Sequence, residues 1–301
     1  MCGGVGAARL LRGFVGRVPA DELTAVVNVA DDMVLHGLHI SPDLDTITYT
    51  LADAVSAERG WGLEGETWQA MEQLTRYGGE SWFNLGDKDL ATHLYRTQRL
   101  SEGATLSEVT AEIAAAWELA LTMVPVTDDP IRTMMATVDH GEISFQRYFV
   151  EHQHSIPVTG VRFDGAEAAR PSPAALSALE SADHLVIAPS NPAVSIDPVL
   201  AVPGVREVLA RRRDDVVAVS PIIGGKALKG PADRLLVELG REASAVAVAE
   251  WYAEVVGTLI IDSADAELAP AIEALGVRAI VTDTIMANPG VTEALADLCT
   301  A

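Results

Sequence analysis

Two glycine-rich segments and three acidic loops contain the residue types that bind phosphate groups and divalent cations. Residues 2–6 (CGGVG) lead directly into a helical pattern. Glycines let the backbone approach a ligand closely, and a helix N-terminus offers free N–H groups to an anion. The spacing fits neither the dinucleotide fingerprint nor the Walker motif, so a plain strand–helix turn stays an alternative to a phosphate site.

The acidic loops lie beside predicted strands and helices. Asp31 follows the apolar segment VVNVA, Asp43 and Asp45 lie in SPDLDT, and Asp87 lies in NLGDKD. Carboxylates near the carboxyl end of a strand suit Mg²⁺, which takes one or two carboxylates together with phosphate oxygens. For each single aspartate, a solvated turn or a helix cap (at Asp45 or Thr46 in the second loop) is the competing interpretation.

Two later loops also follow apolar strand patterns. Ser190–Pro192 comes after HLVIA, and Ser220–Lys229 (SPIIGGKALK) comes after VVAVS. Both leave the carboxyl end of a strand, so we expect them to reach the same crevice. Gly224 permits close backbone approach and Lys226 adds positive charge, which favours an anionic ligand; a solvated basic turn is the alternative.

Other chemistries lack their signatures. Cys2 and Cys299 are the only cysteines, no zinc-ligand spacing of histidines occurs, and no G-x-S-x-G segment is present. Each histidine, including His93 near the acidic loops, is expected to serve at the surface or in packing. The aromatic residues between Trp61 and Phe83 could stack on a planar ligand, although core packing is the commoner role.

The elements that must position these loops alternate between apolar strand segments and helical patterns, as in α/β folds. The strands are predicted at Thr24–Asn28, His184–Ala188, Val216–Ser220, Thr258–Ile261 and Val277–Thr282. The helices are predicted at Ala7–Gly16, Asp45–Glu58, Asp89–Leu100, Leu106–Ala120, Pro203–Arg213, Pro231–Leu239, Ala247–Val255, Ala266–Leu275 and Pro289–Leu298. The pattern predicts a doubly wound, Rossmann-like, mostly parallel sheet, with a smaller, mainly helical insertion and an antiparallel strand pair within residues 132–162.

The charge balance excludes several partners. The 301 residues include 21 Lys and Arg against 43 Asp and Glu, a formal net charge of −22. Such a surface repels nucleic acid and anionic membranes, and no apolar stretch approaches the ~20 residues of a membrane helix. No signal-peptide pattern is visible, so the sequence predicts a cytoplasmic protein.

Taken together, these segments resemble the CofD family, the 2-phospho-L-lactate transferases. The resemblance rests, in chain order, on GGVGAARLLRG, VVNVADD, HGLHISPDLDT, RGWGLEGETW, WFNLGDKDLATHLYR, TDDP, APSNP and AVSPIIGGKALKGPA. The WGLEGETW and LGDKDLATHL spellings are closer to the FbiA branch of the family. Because the match covers nearly the whole chain, it implies one transferase domain over residues 1–301, with a Rossmann-like core (1–60 and 165–301) and an insertion (61–164).

The resemblance also implies an activity. Such enzymes build the deazaflavin coenzyme F420. They move a phospholactyl or phosphoenolpyruvyl group from a guanosine diphosphate donor to the ribityl hydroxyl of 7,8-didemethyl-8-hydroxy-5-deazariboflavin, and they release GMP. The family requires Mg²⁺ and is typically homodimeric. The sequence leaves open whether the donor carries lactyl, enolpyruvyl or glyceryl phosphate.

Carried over residue by residue, the resemblance implies three sets of contacts. The deazaflavin is expected at Asp45, Asn84, Asp87 and Lys88, with Asn84 as a departure from the family's pattern. The metal is expected at Asp31 and Asp45, with Asp43 as a further candidate. Asp45 is also the catalytic candidate, which would orient or deprotonate the acceptor hydroxyl. The guanosine diphosphate is expected at Gly3, Gly4, Val5, Gly6, Ser190, Asn191, Pro192, Ser220, Gly224 and Lys226.

Two other functions stay open at this point. A related family shares the glycine turn and the crevice but binds UDP-sugars as a regulatory protein without transfer chemistry. An inactive scaffold with a degenerate site is the other alternative. The LGDKD loop beside a Trp-rich segment favours the transferase, because a regulator has no need of that loop next to the aspartates.

Overall fold

The computed structural model describes residues 1–301 and alternates helices with strands. The α-helices are α1 (Gly4–Phe14), α2 (Pro42–Leu51), α3 (Gln69–Arg76), α4 (Asp89–Ser101), α5 (Leu106–Ala116), α6 (Pro173–Ser181), α7 (Asp197–Leu200), α8 (Val205–Arg211), α9 (Ala232–Glu238), α10 (Ala245–Tyr252), α11 (Ala269–Ala274) and α12 (Val291–Cys299). The strands are β1 (Thr24–Val27), β2 (Met33–Leu35), β3 (Leu38–Ile40), β4 (Thr122–Pro125), β5 (Arg132–Thr137), β6 (Gly141–Ser144), β7 (Val158–Asp164), β8 (Leu185–Ile187), β9 (Val216–Val219), β10 (Ile222–Ile223), β11 (Lys226–Ala227), β12 (Thr258–Asp262) and β13 (Arg278–Thr282). None of the helices combines the length and the apolar character needed to cross a membrane.

Parallel strands form the centre of the molecule. Strands β13, β12, β9 and β8 pair in that order, and β1 pairs in parallel with β4. Residues 1–3 connect the two groups: Cys2 N donates to Val26 O at 3.0 Å, Asn28 N donates to Cys2 O at 3.0 Å, and Ala188 N donates to Met1 O at 3.1 Å. Residues 1–3 therefore run extended between β1 and β8 and lead into the glycine turn, with an isolated bridge from Cys2 to Val27.

The predicted α/β class is confirmed, with parallel sheets and antiparallel strands in one chain. The antiparallel pair expected within residues 132–162 is part of a three-stranded sheet in the order β6-β5-β7. The doubly wound arrangement stays a prediction, and so does the division into core and insertion. Strand β4 lies within the range assigned to the insertion, yet it pairs with β1 of the predicted core.

Helix α2 differs from its predicted span of Asp45–Glu58. It begins at Pro42, a residue whose fixed φ suits the first helical position, and it ends at Leu51. Just beyond that end the backbone of Asp53 adopts φ +54°, which helical residues do not. Asp45 consequently lies in the first turn of α2 and does not cap it, so its side chain is free to reach another helix.

Candidate active site

The glycine turn at the start of α1 is closed by a carboxylate from α2. Gly4 N donates to Asp43 Oδ1 at 2.8 Å, and Asn28 Nδ2, just after β1, donates to Asp43 Oδ2 at 3.0 Å. A Cβ atom on Gly3 would lie 2.6 Å from Asp43 Oδ2, and Gly4 adopts φ +73°. Both positions therefore favour glycine, and one N–H of the turn is bound to Asp43.

The loop after β8 packs directly on this turn. Gly3 N donates to Ser190 Oγ at 3.4 Å, and Ser190 Oγ donates to Gly3 O at 2.9 Å. Gly6 comes so close that a Cβ atom there would lie 2.4 Å from Pro189 O. Asn191 Oδ1 accepts from the backbone N of residue 193, whereas its buried Nδ2 has no partner. The loop after β8 and the glycine turn thus lie side by side, and Asn191 retains a free donor.

Three neighbouring carboxylates, those of Asp31, Asp32 and Asp43, lack an ion-pair partner. Asp31 is 5% exposed and its Oδ1 has no hydrogen-bond partner. Burial, and then the charge of Asp43, raise the pKa of Asp31 well above its ordinary range. Burial also raises the pKa of Asp43 to about 6 and that of Asp32 to about 7. Because buried anions without partners are unfavourable, this cluster is suited to gain protons or a cation.

Asp45 is in a different situation, because a buried arginine of α4 holds it. Arg96 Nη1 donates to Asp45 Oδ2 at 3.2 Å, and Arg96 Nη2 makes a short contact with Asp45 Oδ1. Burial opposes the charge of Arg96, but the attraction of Asp45 outweighs it and raises the pKa of the guanidinium. The two side chains form an ion pair in which both oxygens of Asp45 are occupied.

His93 and Asp89 lie behind this ion pair. His93 Nε2 is 3.2 Å from Asp89 Oδ2, and His93 Nδ1 is 3.7 Å from Asp45 Oδ2. Burial raises the pKa of Asp89, but the proximity of His93 and the hydrogen bond from Tyr49 together outweigh burial, so the net shift of the pKa is downward. Ligand atoms of Asp45, Asp89 and His93 lie within 4.8 Å of one another, so this group could also hold a metal ion.

The other residues of the third acidic loop serve mainly to shape it. Asp87 accepts from Gln69 N and Ala70 N, both at 3.0 Å, at the start of α3, and the hydrogen bond from Thr67 lowers the pKa of Asp87. Lys88 Nζ donates to the backbone oxygen of residue 64 at 2.6 Å, and Asn84 is exposed. Within this loop it is Asp89, the residue not selected from the sequence, that reaches the buried group.

The glycine-rich loop after β9 forms a tight hairpin between β10 and β11. Gly224 and Gly225 adopt φ +54° and +78°, as the turn of a two-residue hairpin requires. Asp265 holds the hairpin by accepting from Gly224 N at 3.0 and 3.1 Å. Ser220 Oγ bonds within its own loop, accepting from Ile222 N at 3.1 Å, while Lys226 is exposed. The hairpin is therefore fixed in place with its lysine facing solvent.

Aromatic side chains and a cleft lie on the outer side of α4. Trp61 and Trp68 have ring centroids 5.8 Å apart, and the Arg59 guanidinium lies over both rings. A cleft of about 560 Å³ lies between α4, α5 and residues 54–64, and its lining includes Lys88 and Trp117. Core packing is wrong for Trp61, which is 49% exposed and stacks with Arg59 at the surface.

Comparisons with known proteins identify the family. A family model described as 2-phospho-L-lactate transferase CofD matches residues 1–295. Similar relatives include the phosphoenolpyruvate transferases of Streptomyces griseus (41% identical, 98% of this chain and 95% of the relative covered), Nocardia farcinica (42%, 98% and 92%) and Mycobacterium avium (40%, 97% and 94%). A crystal structure of a UPF0052 family member from Bacillus halodurans superposes with a TM-score of 0.65 at 16% identity, covering 99% of this chain and 96% of that one, and so shares the fold. The chain belongs to the CofD family.

Proposed function

We propose that this member of the CofD family is a Mg²⁺-dependent transferase of coenzyme F420 biosynthesis. It moves a phospholactyl or phosphoenolpyruvyl group from a guanosine-diphosphate-linked donor to the ribityl hydroxyl of 7,8-didemethyl-8-hydroxy-5-deazariboflavin, and it releases GMP. The phosphoenolpyruvate transferases at 40–42% identity favour the phosphoenolpyruvyl group. The observation that carries the proposal is the cluster of buried carboxylates, Asp31 and Asp43, against the glycine turn of α1.

The donor diphosphate is assigned to the glycine turn and the loops beside it. The first-turn N–H groups after Gly4 have no intrahelical acceptor, and the helix dipole favours an anion at that end. Asn191 contributes its unpartnered Nδ2 group, and Lys226 contributes an exposed ammonium group. In a chain of net charge −22, such local donors are needed before a diphosphate can bind.

The carboxylate cluster fits a magnesium ion. Asp31 Oδ1 and Asp32 Oδ1 are buried without a partner, and hard oxygen ligands are those that Mg²⁺ prefers. Asp31 and Asp43 would hold the ion, because the donors to Asp43 are neutral, whereas the charge of Asp45 is already neutralised by Arg96. When bound, the ion supplies positive charge that offsets the charge of the diphosphate.

Asp45 is assigned to the acceptor hydroxyl, which it orients and whose proton it accepts. The hydroxyl oxygen forms a bond to the phosphorus that carries the transferred group, and the bond from that phosphorus to the GMP oxygen breaks. The electron pair of the broken bond leaves with GMP. Transfer of this kind depends mainly on alignment of the attacking and leaving oxygens, and therefore on how firmly Asp45 is held.

The rest of the acceptor side follows from the third acidic loop. Lys88 and the exposed Asn84 are assigned to contacts with the deazaflavin, and Asp87 keeps their loop on the start of α3. A homodimer and the doubly wound arrangement of the sheet are part of the same proposal. Light scattering of the purified protein tests the first of these.

Calorimetric titration with the deazaflavin, with and without Mg²⁺ and GDP, tests the acceptor site. We expect binding by the wild-type protein, loss of binding in Asp45→Ala, and a fall in kcat/KM of ~10²-fold or more. Asp214→Ala, which removes a 97% exposed carboxylate, is the matched control and should behave as wild type. Near-normal turnover by Asp45→Ala would remove Asp45 from the mechanism. Thermal stabilisation by a UDP-sugar, and not by GDP with the deazaflavin, would favour the regulatory alternative.

A further inference from the structure

Four residues of α4 repeat at helical spacing and face α2, contacting Asp45 and Tyr49. Asp89, Thr92, His93 and Arg96 occupy positions i, i+3, i+4 and i+7, which form one face of a helix. His93 is 1% exposed and Arg96 is 2% exposed. Side chains of this polarity need partners when they are buried so deeply. The partner that His93 and Arg96 share is Asp45.

Arg96 fixes the plane of the Asp45 carboxylate as well as its charge. Its two terminal nitrogens, Nη1 and Nη2, each contact one oxygen of Asp45. A guanidinium fork imposes such a geometry, whereas a lysine ammonium acts as a point charge. Arg96 Nη1 also donates to His39 O at 3.3 Å, so the guanidinium fork is itself hydrogen-bonded to β3.

His93 borders the same carboxylate from the next turn of the helix. Its Nδ1 is 3.7 Å from Asp45 Oδ2 and 3.3 Å from Arg96 Nη1. Its Nε2 is 3.2 Å from Asp89 Oδ2, and Asp89 Oδ1 accepts from Tyr49 OH at 2.6 Å. The imidazole thus lies between two carboxylates, with its Nε2 in close contact with Asp89 but outside hydrogen-bond geometry, and Tyr49 fixes the outer carboxylate.

We propose that Arg96 and His93 are positioning residues, which hold the Asp45 carboxylate in one orientation towards the acceptor hydroxyl. The inference rests on the proposed function, since that function assigns the hydroxyl to Asp45. A purely structural role accounts for the arrangement less well, because a buried ion pair stabilises a fold little more than apolar side chains of similar volume. A displacement of about 1 Å at a catalytic group, by contrast, is enough to slow a reaction ~10²-fold.

The first test combines Arg96→Lys with Asp45→Asn. Arg96→Lys keeps the positive charge but loses the fork, so we expect kcat to fall ~10- to 100-fold while KM for the donor changes less than ~3-fold. In the Asp45→Asn background, the same substitution should change the single-turnover rate by less than ~3-fold, because residues that act as a unit are not additive. Circular dichroism verifies that each variant is folded.

A second variant and a control keep the result interpretable. His93→Gln retains a hydrogen-bonding side chain, and we expect its kcat to fall ~10-fold even where Arg96→Lys does not fold. Arg99→Gln is the matched control. Arg99 lies on the same helix, but its Nη2 pairs with Glu112 Oε1 at a distance of 2.9 Å and does not contact Asp45. Its kcat should equal that of the wild type.

The outcomes separate this inference from the proposed function. Wild-type kcat in both Arg96→Lys and His93→Gln would overturn the inference, and so would an equal loss with and without Asp45. In either case turnover by the wild-type protein would leave the proposed function standing. A folded wild-type protein with no turnover would overturn the proposed function, and the inference with it.

Discussion

Replacing Asp32 with asparagine should stabilise the metal-free protein at alkaline pH and have little effect at acidic pH. Asp32 Oδ2 accepts from Ser41 Oγ at 2.6 Å, but Oδ1 is buried without a partner. Burial, opposed by the Ser41 hydrogen bond and the charge of Arg96, raises the pKa of Asp32 from 3.8 to about 7. The folded protein therefore binds this proton more tightly than the unfolded chain does, so stability falls as the pH rises from 3.8 to about 7.

The size of the effect follows from the shift in pKa. A change from 3.8 to about 7 is roughly three units, and each unit corresponds to about 1.4 kcal/mol. The Asp32 side chain is only half-buried and keeps part of its hydration, so we expect Asp32→Asn to gain about 2–4 kcal/mol at pH ~8. At pH ~4 the folded protein already carries the proton and the unfolded chain carries it about half the time, so the gain should nearly vanish.

Urea unfolding followed by circular dichroism at the two pH values measures this difference. Asp139→Asn, which removes an exposed carboxylate, controls for the general relief of a net charge of −22. Saturating Mg²⁺ should reduce the difference in free energy of unfolding between Asp32→Asn and the wild type at alkaline pH, because a cation bound to the neighbouring carboxylates offsets the charge of Asp32. Equal stabilisation of the two variants, or a gap that does not depend on pH, would refute the argument from burial.

Two further substitutions test the roles of the glycine turn and of the third acidic loop. Gly3→Ala would place a Cβ atom 2.6 Å from Asp43 Oδ2, so we expect kcat/KM to fall ~10-fold or more in a steady-state assay with the folded variant; unchanged kinetics would show that the turn tolerates the displacement of Asp43. Asp87→Ala removes the carboxylate that accepts from Gln69 N and Ala70 N, so it should lower the free energy of unfolding measured by urea titration. If Asp87 only holds its loop, KM for the deazaflavin should stay near the wild-type value while the free energy of unfolding falls. A large rise in KM with an unchanged free energy of unfolding would instead make Asp87 a direct contact.

The strands were predictable where burial is continuous. Strand β12 (Thr258–Asp262) is buried at every residue, and the sequence predicts it to within one residue because a strand covered on both faces is apolar throughout. The extended segment at residues 1–3 was not predictable, since three residues carry no period and their pairing depends on Val26 and Ala188 far along the chain. The end of α2 was missed because its sequence stays helix-compatible beyond Leu51, where the backbone turns at Asp53.

Part of the candidate site was equally accessible. The family resemblance assigns Gly3 and Ser190 to the same ligand, and in the fold Ser190 Oγ donates to Gly3 O at 2.9 Å. The pairing of Asp45 with Arg96 spans 51 positions, and no local pattern encodes it. A weaker signal did exist: Asp89, His93 and Arg96 recur at helical spacing, and three polar residues on one face of a helix with apolar neighbours point to a shared partner.

The spacing of the two aspartates in SPDLDT explains why one short helix can serve both sides of the site. Residues two apart on a helix are separated by roughly 200° around its axis, whereas in a strand they would share a face. Asp43 accordingly accepts from Gly4 in the turn of α1, and Asp45 accepts from Arg96 in α4. The carboxylate towards the glycine turn has no cationic partner and suits a metal ion, while the one towards α4 is neutralised and held in orientation. A helix that begins at Pro42 is therefore a requirement of this arrangement, and an extended SPDLDT segment would direct both charges to the same side.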